Sequence, residues 1–366
     1  MEAYYYFCLL VTMSAMFLRS WLLLLVVAVG LSWFLLILPS TGMDYDYYKD
    51  AYDNAFGLAS FPWFDTQAII TAEPLYLWYS SFFSVVTGAP FQFFLALNFL
   101  ICFFFSVLSF RENRLLKLDL AWVAFLPVIA PTLFYFSPRS SLSFFMLMFG
   151  FFLLVKGRFW VALPVIVFSM MFHSQYILIG FFIIFSYLIF EVSPRLKIKK
   201  SYIAVLVVTG MAIFLLGANY LVGFLASFFS VVPNSDVAVG KLSQLENVRE
   251  GYRVTAMLSV LVYPALLFFV WRRAKSKELV FYNDDVVNRR WMFMIAMAVV
   301  FGAMVNLVFF NASHLSGRLG RFSDYFSMAV LVPLSLRLIG GRLAVSGALL
   351  ILVIMAPFMY STVYNI

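Results

Sequence analysis

Between Glu73 and Arg111 the chain carries no charged side chain, and comparable apolar runs recur almost to its end. Such runs satisfy their own peptide groups as helices of about 20 residues when they cross a bilayer. Composition favours that outcome over a soluble core. Of 366 residues, 64% are hydrophobic, 11% are charged and 45 are phenylalanine, whereas a soluble domain carries roughly 25% charged residues. The sequence therefore predicts an all-α, polytopic integral membrane protein.

Spans are expected near residues 4–18, 21–38, 90–110, 118–136, 140–155, 159–172, 174–190, 202–221, 254–271, 291–311, 321–338 and 343–360, about twelve in all. The pair around His173 is short for two full crossings, and one long helix there would invert the sidedness of everything after it. The first basic residue is Arg19, so the basic start of a cleavable secretory signal is missing and the N-terminus is expected to remain as a span. No internal repeat or linker divides the chain. Residues 1–366 are read as a single transmembrane domain with outer segments near 39–89 and 222–253.

Charge supplies the orientation. The turns at Arg19, Arg111 to Lys117, Lys156 to Arg158, Arg195 to Lys200, Arg272 to Arg290 and Arg337 to Arg342 hold 18 of the 25 Lys and Arg, which makes that side cytoplasmic. The net charge of +8 thus belongs to membrane topology, and nucleic acid is disfavoured as a partner. Cys8 and Cys102 lie far apart in apolar runs, where they suit packing rather than a disulfide or a metal site. Segment 39–73 sets Asp44, Asp46, Asp50, Asp53, Asp65 and Glu73 against Lys49, a net charge of −5. Residues 74–88 are apolar and aromatic and end at Gly88-Ala89-Pro90, which reads as an interfacial helix on the outer face.

Charged residues at the rim of a membrane domain are functional candidates because they are costly without a cavity or a partner. Arg139, His173, Arg318 and Arg321 come from different parts of the sequence and are expected on the outer face. Guanidinium is permanently charged and donates paired hydrogen bonds, so the three arginines suit a phosphate or diphosphate. Each has a plainer reading as a headgroup anchor or a carboxylate partner, and His173 as a hydrogen-bonded packing residue with Ser174 and Gln175 as polar lining. Asp44-Tyr45-Asp46 has the spacing that holds a divalent cation, but an exposed acidic loop is the simpler reading. No metal or other cofactor is favoured. One of Asp44, Asp46 and Glu73 is a candidate to deprotonate an acceptor hydroxyl. Tyr45, Tyr48 and their aromatic neighbours, among them Tyr52, Tyr76 and Trp78, are candidates for stacking on sugars or for an interfacial belt. Arg249 and Arg253 close the second outer segment and are taken as candidate substrate contacts.

Several of these residues fall into elements with a family likeness. Gly42-Met43-Asp44-Tyr45-Asp46-Tyr47-Tyr48 is similar to G-x-D-Y-x-x-Y, and Glu73-Pro74-Leu75-Tyr76 to a following E-P element. Arg139-Ser140-Ser141-Leu142-Ser143 resembles R-Q-x-L-A, Phe172-His173-Ser174 an F-H element, and Arg321-Phe322-Ser323-Asp324-Tyr325-Phe326 an R-x-x-x-Y-F element. In order and spacing the chain resembles the EpsG-type branch of the Wzy polysaccharide polymerases. It departs from the pattern at Ser140 (usually Gln), Ser143 (usually Ala) and Gln175 (usually Ser), and lacks an arginine just before Gly42.

The resemblance implies a GT-C-like glycosyltransferase of the bacterial inner membrane, its active site facing the periplasm, in lipopolysaccharide O-antigen or related polysaccharide biosynthesis. Donor and acceptor would both be glycans linked to undecaprenyl diphosphate, with membrane lipid around them and a chain-length regulator as a further candidate partner. Arg139 and Arg321, with Arg318 nearby, would bind the diphosphate, and His173 and the Asp44 region would activate or position the acceptor. Tyr325 would contact substrate. The competing readings are an O-antigen ligase, a membrane O-acyltransferase and a lipid-linked oligosaccharide flippase. A flippase is expected to show repeats and charges along a midplane path, which are not evident in this sequence.

Overall fold

The computed structural model describes residues 45–55, 74–112, 138–193, 258–275, 285–309 and 319–339, with isolated positions at 26, 29–30, 202, 205, 209–210 and 217. Among the described residues all regular structure is helical: α1 (Tyr45–Asp53), α2 (Pro74–Thr87), α3 (Phe91–Glu112), α4 (Pro138–Val155), α5 (Phe159–Phe172), α6 (Ile177–Val192), α7 (Tyr263–Lys275), α8 (Asp285–Val308) and α9 (Arg321–Ile339). A one-turn 3-10 helix, Ser174–Tyr176, precedes α6, and a π-helical turn, Leu258–Val262, leads into α7. Two stretches, Phe91–Ser109 in α3 and Asp285–Val308 in α8, are long and apolar enough to cross a membrane. With several shorter apolar helices beside them, they mark a membrane protein. The expected spans near 90–110, 140–155, 159–172, 174–190, 254–271, 291–311 and 321–338 overlap α3 to α9, although α7 starts later than expected and α8 starts earlier, taking in Arg289 and Arg290. Of the other five, 4–18, 118–136 and 343–360 lie outside the described residues, and 21–38 and 202–221 are described only at isolated positions.

The chain forms two compact units, Met1–Gly180 with Met328–Ile366, and Phe181–Ser327. In the first, α4 packs against α3 and α5, and α1 and α2 lie against one another and against α3. The joints are aromatic. Phe94 of α3 is fully buried, with ring centroids of Tyr52, Tyr79 and Phe83 at 5.2, 5.2 and 5.5 Å, so one α3 side chain holds rings from both α1 and α2. Pro74 and Pro138 open α2 and α4 at the first helical position, where a missing N–H and a fixed φ cost nothing. Gly157, at φ 78°, closes α4: its amide donates to the Leu154 carbonyl at 2.8 Å and the Arg158 amide to that of Leu153 at 2.9 Å. That pair of bonds turns the chain sharply into α5.

α4 and α5 then run back along each other. A Cβ on Gly150 would lie 2.6 Å from Ile166 Cγ1 and 3.6 Å from the Ala162 carbonyl oxygen, so glycine is what lets the helices meet. About two turns toward the start of α4, Ser143 Oγ donates to the Ser169 carbonyl at 2.8 Å and Ser169 Oγ to the Ser143 carbonyl at 2.7 Å. These two levels set the register of the hairpin, and it brings the start of α4 beside the end of α5.

The stretches on either side of His173 are separate helices. A Cβ on Gly180 in α6 would strike Met170, and would touch Ile166 at 3.4 Å. In one continuous helix residues 166 and 180 would be about 21 Å apart, so the chain reverses at His173. The single-helix alternative, which would have inverted the downstream topology, does not occur.

In the second unit α6 packs on α8 through Phe182 and Phe301, with centroids 5.1 Å apart, and through Phe190 and Phe293 at 5.7 Å. Gly302 of α8 receives Ser323 of α9 so closely that a Cβ would collide with it. At the ends of α6 and α8 the Arg290 guanidinium donates to Glu191 Oε1 from Nε at 2.8 Å and Nη2 at 2.6 Å. It lies over Tyr187 and Phe190, at 5.5 and 5.6 Å from their ring centroids.

Candidate functional site

Arg139 is the second residue of α4, where the helix N-terminus presents amide donors and the positive end of its dipole. Its guanidinium carbon lies 5.3 Å from the ring centroid of Tyr48, on α1. Tyr48 is buried and meets the ring of Tyr76, on α2, edge to face at 5.6 Å. Two helices of segment 39–89 thus build the platform on which an arginine of a third element rests. A guanidinium directs its N–H groups in its own plane, the direction in which carboxylates and phosphates are bound, and a ring face beside it adds attraction for the cation. Tyr48, expected as a substrate contact, lies with its ring against Arg139.

His173 ends α5 in an extended conformation, φ −155° and ψ 117°, and is buried. Its amide donates to the Ser169 carbonyl at 3.3 Å, and its carbonyl accepts from the Tyr176 amide at 3.0 Å. Its ring lies edge to face with that of Tyr176 at 5.8 Å. The hairpin register puts His173 at the same end as Arg139. Between them the side chains are polar: Gln175 Nε2 donates to Ser140 Oγ at 2.7 Å, and Ser140 Oγ shares a hydrogen bond with the Tyr176 hydroxyl at 3.0 Å.

Below this level the interior becomes apolar with a few paired groups. Tyr79 donates from its hydroxyl to Asn98 Oδ1 at 3.0 Å, and its ring meets Phe172 at 5.8 Å. Tyr52 donates to the Ala89 carbonyl at 2.7 Å, tying α1 to the turn before α3, and burial pushes its phenol above the ordinary value near 10. Asp46 is exposed in the first turn of α1, and Lys49 pairs with Asp53 at 2.8 Å on the same helix.

The first unit therefore brings together Arg139, Tyr48 and the His173 segment. Tyr45 is the first residue of α1. In the second unit Arg321 is the first residue of α9, and Tyr325 is half-buried one turn on. Asp44, Glu73, Arg249, Arg253 and Arg318 lie outside the described residues. Among the described residues, no group of three or more His, Cys, Asp or Glu is placed to hold a metal ion.

With this geometry in place, the comparison with protein families is decisive over most of the chain: the EpsG family model matches residues 21–366. The chain belongs to the EpsG family. No curated protein and no solved structure matches it. Within this EpsG-family chain, sequence reasoning passed over Tyr176 and Ser169, whose signal is polarity in otherwise apolar runs, and noted Ser140 and Ser143 only as departures from a pattern, not as partners. Ser140, Ser143 and Gln175, the departures from the family's elements, all engage in links within the hairpin and its following turn.

Proposed function

We propose that this EpsG-family protein is a polysaccharide polymerase. It transfers a growing glycan from undecaprenyl diphosphate onto the non-reducing end of a new lipid-linked repeat unit. The observation that carries the reading is Arg139, held over Tyr48 at the N-terminus of α4. Family membership supports a role in polysaccharide biosynthesis, and the apolar helices support a substrate that keeps its lipid tail in the bilayer.

In the proposed reaction the bond between the sugar's anomeric carbon and the diphosphate oxygen breaks. A bond from that carbon to the acceptor hydroxyl oxygen forms, and the hydroxyl proton passes to a base. Negative charge develops on the leaving diphosphate, where Arg139, Arg318 and Arg321 would stabilise it. His173, Asp44, Asp46 and Glu73 are the candidates for activating the acceptor. Tyr45, Tyr48, Arg249, Arg253 and Tyr325 would position the substrate or those groups. The proposed architecture is a GT-C-like bundle of about twelve spans with this site on the periplasmic side of the inner membrane.

The test is reconstitution of the purified protein with undecaprenyl-diphosphate repeat units, resolving products on a gel with and without EDTA. A ladder that Arg139→Ala and Arg321→Ala abolish at unchanged protein level is the expected result. Normal ladders from both variants would refute the arginine assignment. Transfer to added lipid A-core in place of a ladder would make the protein a ligase, and translocation without transfer would make it a flippase.

A further inference from the structure

The 3-10 turn that carries Gln175 and Tyr176 meets α4 at Ser140 Oγ. That oxygen accepts from the Gln175 amide at 2.7 Å and shares a proton with the Tyr176 hydroxyl at 3.0 Å. Ser140 is fully buried, Tyr176 is 1% exposed and Gln175 is 9% exposed, so all three are shielded by protein. A serine hydroxyl has one proton and two lone pairs, and these two bonds use most of that capacity. Ser140 follows Arg139 directly, and Gln175 and Tyr176 lie two and three residues after His173.

Simple packing does not require such an arrangement. A buried polar group is costly unless its partners are well placed, and apolar side chains of similar volume would fill the space. A single turn of 3-10 helix has little stability of its own. His173 is extended at the end of α5, with its amide bonded back to Ser169 and its carbonyl bonded to the turn through the Tyr176 amide, so whatever holds the turn also constrains it.

We propose that Ser140, Gln175 and Tyr176 form a positioning latch that fixes the His173 segment to the Arg139 turn, so that the two candidate groups are presented as one preorganised unit. The proposal rests on the site reading given above and adds residues to it. None of the three has to touch substrate.

The experiment uses the full chain in lipid nanodiscs, labelled with 15N-histidine. The chain has two histidines, so His314→Gln assigns the remaining signal to His173. The variants are Gln175→Ala, Ser140→Ala, Tyr176→Phe and the exchange S140Q/Q175S. Each alanine variant should shift or split the His173 imidazole signals and weaken binding of undecaprenyl diphosphate roughly tenfold, as expected for one lost positioning hydrogen bond. The exchange should return both readouts close to wild type.

His173 signals unmoved in folded Gln175→Ala and Ser140→Ala would overturn the latch. So would an exchange variant no better than the single substitutions. Where an alanine variant fails to fold, Tyr176→Phe, which loses only a hydroxyl, and the exchange decide the matter. If wild-type protein binds no lipid diphosphate, the site reading fails and the histidine spectrum alone judges the latch.

Discussion

Replacing Glu191 by alanine removes the acceptor from Arg290, whose side chain is only 9% exposed. A guanidinium cannot shed its charge at any ordinary pH, so it must find water or another acceptor, or the helix ends must part. Breaking a fully buried pair from one side costs about 3–5 kcal/mol. Glu191 is 38% exposed, which leaves water a route to the guanidinium, and the rings of Tyr187 and Phe190 retain the cation with about 0.5–2 kcal/mol of attraction. The estimate for Glu191→Ala is therefore about 2 kcal/mol, above the roughly 1 kcal/mol ceiling of an exposed pair. Glu191→Gln, which keeps a neutral acceptor, should cost about half as much. Arg290→Met with Glu191→Leu should come closer to wild type than either single alanine variant, because both charges leave together. The assay is reversible unfolding in mixed SDS and dodecyl maltoside, followed by tryptophan fluorescence. A Glu191→Ala protein as stable as wild type would refute the reasoning, as would a double variant destabilised by the sum of the single effects.

Other expectations follow from local geometry. Gly150→Val should destabilise the α4–α5 hairpin by about 1–3 kcal/mol through overpacking on Ile166, and Ile166→Ala should relieve part of that cost in the double variant by the same unfolding assay. Ala55 has φ 49° at the end of α1, so Ala55→Gly should stabilise by about 0.5–1 kcal/mol while Gly157→Ala should destabilise by a similar amount; opposite signs in the same titration would contradict the backbone assignment. The Tyr52 phenol has its folded-state value raised, so its contribution is complete below the unfolded value near 10 and is lost as pH rises through the higher folded value. Tyr52→Phe should lose about 1 kcal/mol at neutral pH with the Ala89 hydrogen bond and show a shallower alkaline decline, read from stability at pH 8 to 11. An equally steep decline would show that another group titrates.

The platform under Arg139 illustrates what sequence patterns leave open. Tyr48, Tyr76 and Arg139 lie in three separated elements, and nothing in their spacing says which ring the guanidinium meets. The acidic and aromatic composition of segment 39–89 made it a source of candidate site residues, and the α2 boundaries were legible in Glu73-Pro74 and Gly88-Ala89-Pro90 because proline and glycine act through local backbone sterics. His173 was also legible as a divider between apolar stretches. Its function in the fold was not, since Ser140 and Gln175 are 35 residues apart and only the closed hairpin makes them partners.

Helical class, membrane character and the approximate positions of α3 to α9 came from local information: apolar run length, charge placement, and the fixed dihedral preferences of proline and glycine. These depend on a residue and its near neighbours, so a single sequence contains them. The reversal at His173, the close approach at Gly150, the contact of Arg139 with the Tyr48 ring and the bond from Gln175 to Ser140 were decided by tertiary structure. Each depends on which helix face meets which, and an apolar helix in a bilayer has little amphipathic patterning to announce that choice. Small residues and single hydroxyls decide it through contacts that form only once the helices are side by side.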